Sequence, residues 1–487
     1  MSVVANSPQS WMRRIDHVHF VGIGGVGMGG IAEVMVNLGY SVSGSDVARN
    51  ALVERLESLG VRVYKGHDAA NVEGVDVVVV SSAISEDNPE VSIARQNRIP
   101  VIRRAEMLGE LMRFKQGIAI AGTHGKTTTT SLVASLLTEG GLDPTYVIGG
   151  KLNSSSTNAY LGQSEWLVAE ADESDASFLS LQPVIAIVTN IDADHLSSYE
   201  NDFDRLKSAF VEFIQHLPFY GLAVMCVDDD EVRALIDRIS RPIMTYGFSE
   251  DADVQGKNFR QDKMKSCFDV KLPDGTDLRQ ITLNLPGKHN AQNALAAVAV
   301  GWELGLRAQN MRRAFQNFEG IGRRAQPLGT LPLEDGYAEL IDDYGHHPRE
   351  VAATLEAIKN GRPNNRLVVV FQPHRYTRTR DLFDDFIDAL GDADVLLLCE
   401  VYPAGEVPIA GADGRALARA IRQRGVIDPI FVSEIDQVAK TLEGVLIPND
   451  VVLTLGAGSI GAIAASLPEH FSAAEGNRRN QSEFSDV

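Results

Sequence analysis

Apolar residues in this chain cluster in short runs separated by stretches where they recur every three or four positions. The first run is His17-Val18-His19-Phe20-Val21, and Tyr40–Asp46 and Val75–Val80 follow it. Short apolar runs bounded by turn residues read as buried strands, and the spaced stretches between them, such as Met28 to Leu38, read as helices. Strands alternating with helices imply a parallel sheet. The alternation restarts at Gly117–Ala121 and continues through Trp166–Ala169 and Val184–Val188. A polar, turn-rich patch over about 248–286 reads as a β-hairpin insertion turning at Pro273-Asp274-Gly275. A third series begins near Gln326, with strands expected at 338–341, 367–371, 395–399, 430–432 and 451–455. The pattern therefore predicts an α/β protein in three segments, 1–115, 116–325 and 326–487. A frayed polar tail is expected after about Ala474.

The chain has 487 residues, enough for about three domains. No apolar run reaches the ~18 residues of a membrane span, and Met1–Gln9 has no charged-then-apolar leader pattern. Cys226, Cys267 and Cys399 are too scattered for a disulfide framework or a metal motif. A cytoplasmic location without membrane insertion is the expectation. The net charge of −20 argues against nucleic-acid binding, which needs a basic surface. Anionic ligands must then be met by local clusters of Arg, Lys and backbone N–H groups.

One such cluster is Gly122-Thr123-His124-Gly125-Lys126-Thr127-Thr128, set between the 117–121 strand and an apolar helix. Strand, glycine turn, Lys-Thr and helix is the layout of a nucleotide phosphate site. The glycines let backbone N–H groups crowd around phosphate oxygens, and the helix N-terminus adds favourable partial charge. Lys126 would neutralise the terminal phosphates, and Thr127 could place its hydroxyl on Mg²⁺. Ile120 stands where the longer form of this loop has its first glycine, so the loop is shortened.

Gly22-x-Gly24-x-x-Gly27 matches the dinucleotide fingerprint, and Asp46 ends the next strand, where an acid can read a ribose hydroxyl. From the residues alone this loop suits NAD(P), another nucleotide diphosphate or a structural turn. A second match, Gly456-x-Gly458-x-x-Gly461, lacks a downstream acid and reads as helix–sheet packing. The 166–169 strand leads into Glu170, with Asp172, Glu173 and Asp175 beyond it. A carboxylate there, beside the phosphate loop, could hold Mg²⁺, or the run could be a solvated acidic loop. His195 follows the next strand on the same sheet edge and suits a metal or phosphate role, or a structural one. Asn290 and Asn293 share a helix face and could read a purine or serve as a cap. Gly322-Arg323-Arg324 offers guanidinium groups to phosphate. The turns Asp342–Pro348 and Gln372–Arg378, rich in His, Arg and Tyr, share the carboxyl edge of the third sheet, where Arg375 and Arg378 could grip carboxylate or phosphate oxygens.

Taken together, the 122–127 loop, Glu170, His195, His289-Asn290-x-x-Asn293, Gly322-Arg323-Arg324 and Asp342–Pro348 resemble the Mur ligase family, the ATP-dependent amide-forming enzymes of peptidoglycan synthesis. The likeness runs across nearly the whole chain. The Gly22–Gly27 loop and Phe371–Arg378 are most similar to the members that join L-alanine to UDP-N-acetylmuramate. The resemblance implies a Rossmann-like UDP-sugar domain, a central P-loop ATPase-like domain and a C-terminal Rossmann-like amino-acid domain. It implies ATP and Mg²⁺ (or Mn²⁺ in its place), and a monomer or weak homodimer. Gly22, Gly24, Gly25, Val26, Gly27 and Met28 would cradle the UDP diphosphate, with Ser45, Asp46 and Ser82 beside them. Gly122 to Thr128, Asn290, Asn293, Arg324 and Asp343 would hold ATP. Thr127, Glu170 and His195 would bind metal. Tyr344, His346, Arg375 and Arg378 would surround the amino acid. Lys126, Glu170, His195, His346 and Arg375 would carry the chemistry. A family member that recycles a whole tripeptide onto the same sugar is the nearest alternative. A nicotinamide-dependent dehydrogenase is the alternative from another class.

Overall fold

The computed structural model describes residues 12, 14–81, 83–153 and 157–485. It forms two compact units. Unit one takes 1–258, 268–282 and 292–319, and unit two takes 259–267, 283–291 and 320–487.

In unit one the strands His17–Val21 (β1), Ser41–Asp46 (β2), Arg62–Lys65 (β3), Val77–Val80 (β4) and Val101–Arg103 (β5) form a parallel sheet in the order β3-β2-β1-β4-β5. Strand order reverses at β1, which opens a crevice at its carboxyl end. β3 and β5 escaped the sequence pattern because they are short edge strands with charged ends, Arg62 and Lys65 on one and Arg103 on the other.

A second sheet is built on Gln116–Ala121 (β6), Thr145–Leu152 (β7), Thr157–Tyr160 (β8), Trp166–Glu170 (β9), Ile185–Val188 (β10), Leu222–Cys226 (β11) and Ile243–Gly247 (β12). Val254–Asp262 (β13), Lys265–Lys271 (β14) and Asp277–Leu283 (β15) extend it to the order β15-β14-β13-β12-β11-β10-β6-β9-β7-β8. The expected turn is present between β14 and β15, where Gly275 has φ 85° and its N–H donates to the Leu272 carbonyl at 2.9 Å. β6 lies between β10 and β9. Its register pairs Ala121 with Val188 and Ile120 with Glu170, so the loops after all three strands leave from one edge.

Unit two contains Gln326–Leu333 (β16), Gly336–Asp343 (β17), Leu367–Phe371 (β18), Val395–Cys399 (β19), Ile430–Val432 (β20) and Val451–Leu455 (β21), in the order β16-β17-β21-β18-β19-β20. Only β16 runs antiparallel, and Pro327 and Gly329 mark it as an edge strand. The unbroken apolar runs have a direct cause here. Val369, Phe371, Leu453 and Leu455 pack on one face, and Val368, Val370, Val452 and Leu397 on the other. Side chains alternate across a strand, so a sheet covered on both faces needs apolar residues at every position. The final helix spans Ile460–Ser485 and continues past Ala474, where a frayed tail was expected.

Candidate active site

The chain leaves β1 through Gly22 at φ 83°, a left-handed conformation that glycine adopts freely. The Gly22 and Ile23 amides donate to the Ser45 carbonyl at 2.8 and 3.1 Å, tying the loop to the end of β2. Asp46 accepts from the Gly24 N–H at 2.8 Å and from the Ala48 N–H at 2.9 Å. Its carboxylate therefore braces the glycine loop. A Cβ on Gly24 would lie 2.8 Å from that carboxylate. Gly25 precedes helix Val26–Asn37, whose N-cap makes no side-chain hydrogen bond and whose first turn carries no acid. That leaves amide donors and positive partial charge for an anion. Met28 is buried, whereas Val26 is exposed. Gly27 faces Arg104, since a Cβ there would lie 3.2 Å from Arg104 Cδ. Ser82 lies outside the described residues.

Ser45 turns its side chain away from the loop, into a buried polar network. Its hydroxyl donates to Glu90 at 2.6 Å and lies 2.9 Å from His67 Nδ1. Asn71 donates to Glu90 at 2.6 Å, and His19 Nε2 is 3.5 Å away. Burial alone would raise the Glu90 pKa, but the hydrogen bonds from His19, Ser45 and Asn71 outweigh it and hold the group at about 2. A folded-state pKa below the ordinary 4.5 means stability that is present above the unfolded value and lost as pH falls toward the folded one. Glu90→Gln is thus expected to lower stability at pH 7, with the gap to wild type closing between about pH 4.5 and 2. Urea unfolding of both proteins at pH 7 and in that acid range checks this, and a gap independent of pH would contradict it.

The second loop leaves β6 through Gly122 at φ 129° and Gly125 at φ 83°. A Cβ on Gly122 would collide with the Thr189 hydroxyl, and one on Gly125 would lie 2.7 Å from Asn293 Oδ1. Gly125 caps helix Lys126–Glu139 without a side-chain bond, so this helix start also presents bare amides. The segment after β10 clamps the loop. Asn190 accepts from the His124 N–H at 2.8 Å and donates to the His124 carbonyl at 3.0 Å. Thr123 Oγ1 accepts from the Asp192 N–H at 2.9 Å, and His124 Nε2 lies 3.1 Å from Asp192.

Lys126 donates to the Gly122 carbonyl at 2.6 Å, the Thr123 carbonyl at 3.1 Å and Glu173 at 2.8–2.9 Å. Burial opposes its charge, but Glu173, Asp172 and Glu170 outweigh burial and raise its pKa. Glu170 stands at the end of β9, as expected, and accepts from the Gly149 N–H at 2.7 Å. Thr127 follows Lys126 in the helix, and Thr128 beyond it is buried. His195 sits at φ 55° with its N–H on Asp194 at 2.8 Å, a strained backbone placed at this edge. Carboxylate and hydroxyl oxygens are the donors Mg²⁺ prefers, so Glu170 and Thr127 suit it. Arg104 lies 3.8 Å from Asp172 and also against Gly27, so one guanidinium spans from the Gly22–Gly27 turn to the segment after β9.

Unit two carries its own cluster at the ends of β17 and β18. Asp343 accepts from the Ala325 and Gly345 N–H groups, each at 2.7 Å, and burial pushes its pKa up to about 6. It therefore fixes the two turns around it. Arg323 and Arg324 both lie over the Tyr344 ring, 5.1 and 5.2 Å from its centre. Arg323 also donates to Asp342 at 2.8 Å and to the Gly456 carbonyl at 2.6 Å. A Cβ on Gly456 would lie 2.6 Å from the Gln372 carbonyl, and one on Gly458 2.7 Å from Tyr402, so the second glycine motif is a packing device, as expected. Tyr344, His346, His374 and Tyr402 form a chain of ring contacts at 5.4, 5.9 and 5.5 Å. Burial lowers the pKa of His346 to about 3 and of His374 to about 4. Arg378 is buried beside these rings, whereas Arg375, at φ 72°, is exposed and 3.7 Å from Glu406. Asn290 donates to the Pro286 carbonyl at 2.7 Å.

Four residues near these clusters were not singled out from sequence. Glu173 was hidden in an acidic run, although its place three residues after Glu170 was a usable signal. Arg104 follows no motif. Tyr402 and Glu406 follow β19, which lies parallel to β18, and the bridge of His374 with Tyr402 holds them at this edge.

Two α/β units, a phosphate loop closed on a half-buried lysine and strand-end clusters rich in Arg, His and carboxylate define a nucleotide-dependent enzyme class. Family models confirm and sharpen this: the Mur ligase family catalytic domain matches residues 17–116, the Mur ligase middle domain 120–301 and the Mur ligase glutamate ligase domain 323–458. The chain belongs to the Mur ligase family. It is 60% identical over 458 residues to a UDP-N-acetylmuramate–L-alanine ligase of Methylococcus capsulatus, covering 94% of this chain and 97% of that protein. The crystal structure of the UDP-N-acetylmuramate-alanine ligase of Thermotoga maritima superposes with a TM-score of 0.79 at 29% identity, covering 94% of this chain and 99% of that one. A murein peptide ligase of Psychrobacter arcticus shares the fold, with a TM-score of 0.69 at 24% identity, over 93% of this chain and 98% of its own.

Proposed function

We propose that this enzyme uses ATP to join L-alanine to the carboxylate of UDP-N-acetylmuramate in peptidoglycan precursor synthesis, releasing ADP and phosphate. The observation that carries the reading is Lys126, half-buried and fully hydrogen-bonded at the base of a clamped phosphate loop, in a chain so similar to the Methylococcus ligase. ATP would phosphorylate the muramate carboxylate. The alanine amine would attack the resulting acyl phosphate, and phosphate would leave through a tetrahedral intermediate. The amides of 122–128 and the Lys126 ammonium would hold the phosphates, with Asn293 and Arg324 toward the nucleotide. Mg²⁺ on Thr127, Glu170 and His195 would offset charge on the transferring phosphoryl group. Residues 1–115 would bind the UDP-sugar, 116–325 ATP and 326–487 the amino acid. Tyr344, His346, Arg375 and Arg378 would receive the amino acid. No described helix is long and apolar enough to cross a membrane, and the cytoplasm is where we place the reaction.

Family membership favours the nucleotide-diphosphate reading of the Gly22 loop over the nicotinamide one. Gly24→Ala is expected to cost about 1–3 kcal/mol of UDP-sugar binding by crowding Asp46, a roughly five- to hundredfold rise in Kd by titration. Unchanged binding would move the sugar elsewhere. The overall test is phosphate release from ATP, Mg²⁺ and UDP-N-acetylmuramate with L-alanine, other amino acids or the tripeptide. Release with L-alanine and its close analogues alone supports the reading. Release with the tripeptide alone would keep the family and change the acceptor.

A further inference from the structure

The ammonium of Lys126 has three N–H donors, and all three are spent inside the protein, on two loop carbonyls and Glu173. A nucleotide phosphate can engage this lysine only by displacing one of those acceptors. The carbonyls of Gly122 and Thr123 belong to the loop itself. Glu173 comes from the segment after β9, and its negative charge would repel an arriving phosphate, so it is the partner to be exchanged. We propose that Glu173 is the counter-ion that stores Lys126 in the nucleotide-free loop and releases it to the nucleotide, acting as a positioning residue for phosphoryl transfer. This rests on reading the loop as the ATP site.

Glu173 is held where this exchange requires. Its side chain is 3% exposed. The Tyr199 hydroxyl donates to its carbonyl at 2.5 Å and the Ala176 N–H donates to the same atom at 3.0 Å, so the backbone is pinned while the carboxylate faces the loop. The charged and titratable groups around it are Lys126 from the helix, Asp172 and Asp175 on its own segment, Glu170 at the strand end, Tyr199 from the following segment, and Arg104 beyond Asp172. Lys126 is the cation on it, and the surplus is negative. Burial already pushes the Glu173 carboxyl up to about 7 with the lysine in place. Once Lys126 turns to phosphate, the carboxylate is buried beside other acids without its counter-ion, and it takes up a proton from solvent to become a neutral carboxylic acid. Nucleotide binding and proton uptake are therefore linked.

Calorimetric titration of the whole enzyme with MgADP at about pH 8, in two buffers of different ionisation enthalpy, reads the uptake directly. Wild type is expected to absorb protons on binding. Glu173→Gln is expected to lose that uptake and to bind MgADP roughly tenfold more tightly, because no carboxylate competes for Lys126. No uptake by wild type, which needs no variant, overturns the proposal. So does a Glu173→Gln enzyme that keeps the uptake or binds no more tightly. If MgADP fails to bind wild type at all, the ATP reading of the loop falls with it, a result distinct from binding without uptake.

Discussion

Lys126→Ala is expected to abolish ADP formation while leaving UDP-N-acetylmuramate binding nearly unchanged. The lysine serves the phosphate loop, where its ammonium lies at 2.6–3.1 Å from the Gly122 and Thr123 carbonyls and at 2.8 Å from Glu173. The Gly22 loop draws its donors from a different helix start, Val26–Asn37, and its brace from Asp46. Removing a preorganised charge at a transferring phosphoryl group costs at least about 10²–10³ in turnover. The loss should appear in kcat with saturating sugar. The variant leaves Glu173 buried without a cation, and that group can relieve the strain by protonation, because burial has already raised it to about 7. The fold should therefore survive, and a thermal melt beside the assay checks it. Binding of the UDP-sugar by titration is the second readout. Equal loss of both functions in a folded variant would show that the two loops do not act on separate ligands.

How much of this was legible in the sequence follows from what each element packs against. Strands buried on both faces announced themselves. Leu367–Phe371 is an unbroken apolar run, and Val451–Leu455 is apolar but for Thr454, because both faces of their sheet are covered. Edge strands gave no such signal, and Arg62–Lys65 is only four residues long with a charge at each end. The glycines were legible because the chemistry of a phosphate turn requires them, and Gly122 and Gly125 do adopt φ values that favour glycine. What the motifs could not supply was the state of each polar group in the folded protein. Asp46 and Asp343 were expected to meet ligands, and both are occupied with backbone N–H groups that hold neighbouring turns. Ser45 was expected beside the sugar, and its hydroxyl serves Glu90. A motif gives residue type and spacing. The direction of a side chain depends on partners distant in sequence, such as Glu90 for Ser45 or Tyr402 for His374.

The two arginines after β18 separate by the same reasoning, and they carry the other large expected effect. Arg378→Ala is expected to reduce alanine use far more than Arg375→Ala. Arg378 is 7% exposed, beside His346 and His374, and its charge helps lower the pKa of both rings. A carboxylate meeting it there would be desolvated, and truncating one partner of such a pair costs about 2–5 kcal/mol. That corresponds to a fall of roughly 30- to several-thousandfold in kcat/KM for alanine. Arg375 has a side chain that is 48% exposed and lies 3.7 Å from Glu406. A pair screened by water contributes about 0–1 kcal/mol, so its removal should weaken alanine use by no more than about fivefold. Phosphate release at varied L-alanine, with ATP and UDP-N-acetylmuramate saturating, measures both variants, and direct nucleotide titration should show no change in either. A larger defect in Arg375→Ala, or an unaltered alanine dependence in Arg378→Ala, would place the amino-acid carboxylate away from the buried guanidinium. Arg378→Lys separates charge from geometry, because a point-charge ammonium cannot reproduce the planar two-donor grip. A lysine variant nearly as impaired as the alanine one is the result expected of a forked contact.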